Sequence, residues 1–255
     1  MKGIIMIRRI IFAFSCVAAL FCFNGCLAEN AKINKDNKIS LKPIVIVLVG
    51  DSTVADYALE NELRGWGQII PEYFNDKVTI KNCARNGRSS KSFIKEGLWD
   101  KAMETKADYV MIQFGHNDCP GKGGDRTTDP NSDYQEYLLK YIKDSRKAGA
   151  EPILVTSVER RNFDEKGKIK TTLTKYADAM KKVGKKENVP VIDLYTRSVK
   201  LYESLGEKGC SYMNPTVKPD RTHFTKEGAK SITKLVVDEI GKKVPALSKY
   251  LKKTK

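Results

Sequence analysis

Short apolar runs alternate along this chain with longer stretches in which apolar residues recur at helical spacing. Residues 44–49 are six consecutive aliphatics, most of them β-branched. Such a run fits a strand covered on both faces, as in a parallel sheet. Residues 78–82, 109–114, 153–158 and 190–194 read as four more strands. Helices are predicted over 62–74, 90–104, 132–148 and 172–187. A last helix follows Thr225 as its N-cap, with Ala229, Ile232, Leu235, Val236 and Ile240 at helical spacing and Pro245 beyond its end. Strands alternating with helices predict an α/β domain over 41–244, a mainly parallel five-stranded sheet with helices on both faces.

The first residues follow a different pattern. An apolar run of about 14 residues, 10–23, is preceded by Lys2, Arg8 and Arg9 and by no acid. It is shorter than the ~20 residues of a membrane-spanning helix, so residues 1–28 read as a secretory signal. Gly25-Cys26 resembles the end of a bacterial lipobox. Plain cleavage after Ala28 and a lipid anchor on Cys26 both stay open, and either makes the protein an exported one, secreted or periplasmic. Residues 29–40 are polar and read as a linker. Six of the last fourteen residues are lysine, so 245–255 read as a basic tail.

Charge and cysteines narrow the partners. The chain of 255 residues carries 46 Lys+Arg against 31 Asp+Glu, a formal +15. Loss of the leader's three cations leaves +12. For an exported protein this suits an anionic polysaccharide or an acidic surface, and equally a solvated lysine surface; nucleic acid is not expected. Cys83, Cys119 and Cys210 remain after the leader. An odd count in an oxidising compartment allows at most one disulfide, with the pairing open.

Ligands of open α/β sheets sit beyond the carboxyl ends of the strands. The residues there are Gly50-Asp51-Ser52-Thr53, the segment from Asn82 to Ser90, and Gly115-His116-Asn117-Asp118. Asp220-Arg221-Thr222-His223 lies just before the last helix. A serine nucleophile needs a base, an acid to orient the base, and donors for an oxyanion. His223 is one of only two histidines, and Asp220 stands one short turn before it. Ser52, Asn117 and Gly87 follow three strands of one sheet, so a hydroxyl, an amide and an unshielded backbone N–H have a common place to meet. Taken singly, each has a plainer reading: Ser52 as a helix cap, Asn117 as an Asx turn, Gly87 as a turn glycine.

These blocks resemble those of the SGNH or GDSL hydrolases. With Gly65-Trp66-Gly67, Gly87 to Phe93, Gln113 to Asp118, Arg160 to Asp164 and Asp220 to Phe224, they are similar to rhamnogalacturonan acetylesterases through nearly all of 41–244. The resemblance implies a flavodoxin-like three-layer fold. It implies Ser52 as nucleophile, His223 as base and Asp220 as its partner. The oxyanion hole is then the N–H groups of Ser52 and Gly87 with the Asn117 side chain. The implied activity is removal of acetyl groups from a pectin, with an acetylated polysaccharide as substrate. Arg88, Arg160 and Arg161 are candidates to meet its carboxylates, with Lys91 and Arg221 nearby, and His116 to hydrogen-bond near the site. Esterases on other acetylated glycans or short acyl chains, and a non-catalytic polysaccharide-binding protein, are the alternatives. The Gly-x-Ser-x-Gly elbow of the α/β-hydrolases is absent. Trp66 is expected in the core, and the Gly/Pro-rich loop 119–131 beside the cleft. No zinc spacing, no phosphate loop at Gly121-Lys122-Gly123 and no dinucleotide fingerprint occurs, so neither metal nor cofactor is expected.

Overall fold

A computed structural model describes residues 31–33, 39–218 and 220–253. The leader read at 1–28, with Cys26, lies outside the described residues. Within the stretch read as a linker, Ala31–Ile33 pairs with Ile39–Leu41 as a two-stranded sheet.

The main sheet is built from β1 (Ile44–Gly50), β2 (Val78–Asn82), β3 (Tyr109–Gln113), β4 (Glu151–Val155) and β5 (Val191–Ile192). Its spatial order is β2-β1-β3-β4-β5 and every pair is parallel, which is the flavodoxin-like order. The helices are α1 (Trp66–Ile69), α2 (Ser90–Lys95), α3 (Leu98–Met103), α4 (Asp133–Lys147), α5 (Thr174–Glu187), α6 (Leu194–Gly209, interrupted at Gly206), α7 (Lys226–Lys243) and α8 (Pro245–Ser248).

Alternation along the strands divides the core in two. Ile44, Ile46 and Leu48, with Met111, Ile153 and Val155, pack against Trp66 and Ile69 of α1 and Ile232, Val236 and Ile240 of α7. Val47, Val49, Val110, Ile112 and Leu154 pack instead against Phe93 of α2, Trp99 of α3, Leu138 and Ile142 of α4, and Met180 and Val183 of α5. β1 is continuously apolar because both its faces are covered, whereas the edge strand β2 alternates and leaves Thr79 and Lys81 exposed. Each fully buried aliphatic contributes roughly 1.5–3 kcal/mol, so the sheet is a stiff platform. Its register sets Gly50 opposite Gln113 and Leu48 opposite Asn82. The segments after β1, β2 and β3 therefore leave the sheet side by side, at the switch point where ligands bind in such folds.

Four expectations need correction. Residues 62–74 are not one helix. Leu63–Arg64 pairs antiparallel with Phe224–Thr225, α1 has a single turn, and a 3-10 turn follows over Ile70–Tyr73 with Pro71 second in it. The cause is close packing: a Cβ on Gly65 or Gly67 would collide with the backbone of Val54 and Ala55. The helix predicted over 90–104 is two, α2 and α3, divided at Gly97. α6 is missing from the sequence reading because it begins directly after β5. Its N-cap Asp193 accepts from the Thr196 N–H, and the apolar strand runs into the helix's own apolar positions. The lysine-rich segment 245–253 is folded rather than a tail. Pro245 opens α8, Leu247 and Tyr250 are buried, and Leu251 bridges to Phe74, while Lys249, Lys252 and Lys253 stay exposed. Thr225 does cap α7, accepting from the Gly228 N–H.

No helix among the described residues is long and apolar enough to cross a membrane. Cys83, Cys119 and Cys210 are all free, and burial pushes each thiol above its usual value.

Candidate active site

The turn after β1 carries Ser52 and is held from several sides. The Asp51 carboxylate is wholly buried; its Oδ1 accepts from the Thr53 N–H and hydroxyl, both at 2.8 Å. The Thr53 hydroxyl accepts from Gln113 Nε2 at 2.7 Å, and Gln113 Oε1 accepts from the Trp66 indole at 2.8 Å. The Tyr57 hydroxyl donates to the Ser52 carbonyl at 2.9 Å. Burial, aided by nearby Asp51, raises the Tyr57 phenol well above its usual value, so it stays a neutral donor. None of these groups is free to move without breaking a buried hydrogen bond, which costs about 1–3 kcal/mol.

His223 reaches this turn from the other end of the chain. Its Nε2 lies 2.8 Å from the Ser52 hydroxyl, and its Nδ1 lies 2.6 Å from Asp220 Oδ2. Asp220 Oδ1 accepts from the N–H groups of Thr222 at 2.6 Å and His223 at 2.9 Å, a tight turn that aims carboxylate and ring together. Burial alone would raise the Asp220 carboxyl. His223 and the two backbone donors outweigh it and hold the group below the usual carboxylate range. A carboxylate on Nδ1 assigns the proton to that nitrogen and leaves the Nε2 lone pair facing the serine. This arrangement lets an imidazole draw a proton from a hydroxyl as the oxygen attacks.

The loops after β2 and β3 close the site. Arg85 N–H donates to the Gly50 carbonyl, which seats the β2 loop on the end of β1. Gly87 has φ of +77°, a conformation that favours glycine. Asn117 Nδ2 gives one hydrogen to the Arg88 carbonyl at 3.1 Å, leaving the second for another acceptor. Ser52 N–H and Gly87 N–H have no hydrogen-bond partner among the described residues. Asp118 ties the two loops, accepting from the Ser90 hydroxyl at 2.5 Å, the Ser90 N–H and the Thr128 hydroxyl. Its complete burial pushes its carboxyl up to about 7 in spite of these donors.

The proposed substrate contacts separate. Arg161 is not a surface group: it is 1% exposed, its Nε donates to Asn214 at 2.7 Å, and its Nη2 donates to the His223 carbonyl at 2.5 Å. Its guanidinium lies 4.5 Å from the Phe224 ring centre. His116 is also buried, behind the turn, with Nδ1 3.3 Å from Asp51 Oδ2 but not aligned as a hydrogen bond. Burial raises the Asp51 carboxyl, and His116 with the Thr53 donors reverses this and lowers it. Arg161 and His116 are both almost fully buried, and the protein contacts above hold them. Arg88 is half-buried and paired with Glu96 at 2.8 Å, Lys91 with Asp125, and Arg221 with Glu207 at 2.5 Å. Arg160 is half-buried on the wall of an open cleft. Tyr57 escaped the sequence reading, since nothing in its local pattern points to the Ser52 carbonyl. Among the described residues no group of three or more His, Cys, Asp or Glu is placed to hold a metal.

The family described as GDSL-like Lipase/Acylhydrolase matches residues 46–236. The chain belongs to that family. It is an esterase of the SGNH fold. It is 41% identical over 213 residues to the rhamnogalacturonan acetylesterase RhgT of Bacillus subtilis, covering 78% of this chain and 90% of that one. A second Bacillus subtilis protein, the probable rhamnogalacturonan acetylesterase YesY, is 36% identical over 76% of this chain and 91% of its own. Among solved structures, an acetylxylan esterase from Geobacillus stearothermophilus has the same fold at 16% identity. Its TM-score is 0.61, over 78% of this chain and 95% of that one.

Proposed function

We propose that this esterase removes O-acetyl groups from a rhamnogalacturonan-type pectin through an acetyl-serine intermediate. The observation that carries the chemistry is the row from Ser52 through His223 to Asp220, at 2.8 and 2.6 Å. Similarity to two proteins named as rhamnogalacturonan acetylesterases, one of them at 41% identity, supports the substrate class.

In this reading Ser52 Oγ attacks the acetyl carbonyl while His223 Nε2 accepts its proton. Asp220 keeps the Nδ1 proton in place and stabilises the imidazolium as it forms. The oxyanion accepts from the N–H groups of Ser52 and Gly87 and from the free Asn117 hydrogen, donors held before the charge develops. His223 then protonates the departing sugar oxygen. Water, deprotonated by the same imidazole, attacks the acetyl-serine, and acetate leaves as Ser52 regains its proton. Export by the leader at 1–28, with or without an anchor on Cys26, suits a polymeric substrate met outside the cell.

The test is acetate release from acetylated rhamnogalacturonan, acetylated homogalacturonan and acetylxylan, beside p-nitrophenyl esters of increasing acyl length. The expected order puts rhamnogalacturonan first among the polymers and acetate first among the acyl groups. Faster release from acetylxylan would assign another glycan, and preference for long acyl chains a lipase. A folded protein that binds pectin and hydrolyses none of these esters would be a binding protein.

A further inference from the structure

An open cleft of about 1120 Å³ lies beside the site, between the loop that follows Asn117 and a wall made by Arg160, Thr172, Lys175 and Tyr176. Its loop is built, not loose. Thr128 N–H and hydroxyl donate to the Asp118 carbonyl and carboxylate at 3.0 Å, and the Tyr176 hydroxyl is shared between the carbonyls of Asp118 and Thr128 at 2.9 and 2.7 Å. Beyond this neck, Arg126 Nη1 donates to the Gly87 carbonyl at 3.2 Å. On the facing wall, Arg160 donates to the Thr172 hydroxyl at 2.6 Å and to the His116 carbonyl at 3.3 Å. One guanidinium thus touches both the cleft wall and the backbone next to Asn117.

The charges in the cleft are unevenly engaged. Asp129 and Asp133 accept from the N–H groups of Asn131 and Asp129. Arg160, Lys122 and Lys175 form no ion pair among the described residues, unlike Arg88, Lys91 and Arg221, which each have a carboxylate. Arg160 uses two of its five N–H donors in the contacts above, and a guanidinium presents the rest in a fork that matches a carboxylate.

We propose that this cleft is a subsite for a carboxylate-bearing sugar of the polymer, held by Arg160 and flanked by Lys122 and Lys175. The proposal rests on the pectin reading above and deepens it. A uronate seated here would place its neighbours along the chain toward Ser52, and the acetylated residue would be selected by the charge of a nearby uronate of the same chain. Because the lysines are exposed, the attraction is screened by salt.

The test compares kcat/KM on acetylated rhamnogalacturonan with kcat/KM on acetylxylan, a neutral polymer, in the wild type, in Arg160→Gln and in the double variant Lys122→Gln/Lys175→Gln. The ratio is expected to fall ~10-fold in each, chiefly through KM, and in the wild type to fall as salt is raised. The double variant removes no hydrogen bond of the fold, so it stays informative where Arg160→Gln disturbs packing. Binding of acetyl-free oligogalacturonate by calorimetry is measured alongside. If the wild type acts on the pectin and both variants keep its ratio and its oligogalacturonate binding, the subsite is wrong while the substrate reading stands. If the wild type ignores acetylated pectin, the substrate reading fails and the titration decides alone. Oligogalacturonate binding that the variants weaken would support an anionic subsite, and no binding would overturn it.

Discussion

Arg161 donates from Nη2 to the backbone carbonyl of His223, 2.5 Å away, with its guanidinium against the ring of Phe224. A residue in the loop after β4 thereby holds the segment that carries the proposed base. The antiparallel pairing of Leu63–Arg64 with Phe224–Thr225 holds it from the other side. Replacement by methionine keeps the bulk and removes the donors. It is expected to lower kcat by ~10-fold or more through misplacement of His223, and to lower the melting temperature because Asn214 loses its partner. Lysine, which lacks the fork, should restore little. Kinetics on p-nitrophenyl acetate together with the downfield proton signal of His223 Nδ1–H check this. A purely structural role would lower stability and leave that signal and kcat where they were.

Asn117→Ala removes one proposed oxyanion donor and leaves Ser52, His223 and Asp220 untouched. The expected loss is ~10²–10³ in kcat with KM little changed. Steady-state kinetics on p-nitrophenyl acetate decide it, and a loss confined to KM would place Asn117 in ground-state binding instead.

Asp220→Asn keeps the shape and removes the charge that fixes the His223 tautomer. If the proposed roles hold, a fall of roughly 10⁴ in kcat is expected by analogy with known serine triads. The Asp220 carboxyl titrates below its usual value. The stability it contributes is therefore present above about pH 4 and lost as the pH falls through its lower folded-state value. Acid unfolding monitored by circular dichroism should show a shallower loss in the variant than in the wild type at the acid end.

Asp118 has the opposite sign. Its carboxyl is pushed up to about 7 in the folded protein, whereas an unfolded aspartate ionises near ~3.9. Between those values the unfolded chain releases a proton that the folded one keeps. Stability from this group is complete below about pH 4 and is lost as the pH rises to about 7. Asp118→Asn removes the titration, so urea midpoints plotted against pH should fall less steeply between 4 and 7 than in the wild type. Parallel curves for the two proteins would show that Asp118 is ionised throughout.

The sheet was legible because continuous aliphatic runs have few alternatives, and the strand ends drew attention to Ser52, Gly87 and Asn117. His223 stood out by scarcity. What escaped depends on long-range packing. Gly65 and Gly67 break the predicted helix only because the Val54 backbone lies against them. Arg161 sits in a loop motif where an arginine reads as a surface group. Phe224, Tyr202 and Asn214, brought from later in the chain, enclose it. His116 is likewise buried, beside Asp51.

The central claim is that Ser52 carries the acetyl group during turnover. Peptide mass spectrometry of protein quenched during hydrolysis of p-nitrophenyl acetate tests it directly, in the wild type and in Ser52→Ala. One acetyl on the peptide containing Ser52, absent from a folded and inactive variant, is the predicted result. Undiminished hydrolysis by Ser52→Ala, or an acetyl that turns over on another residue, would contradict it.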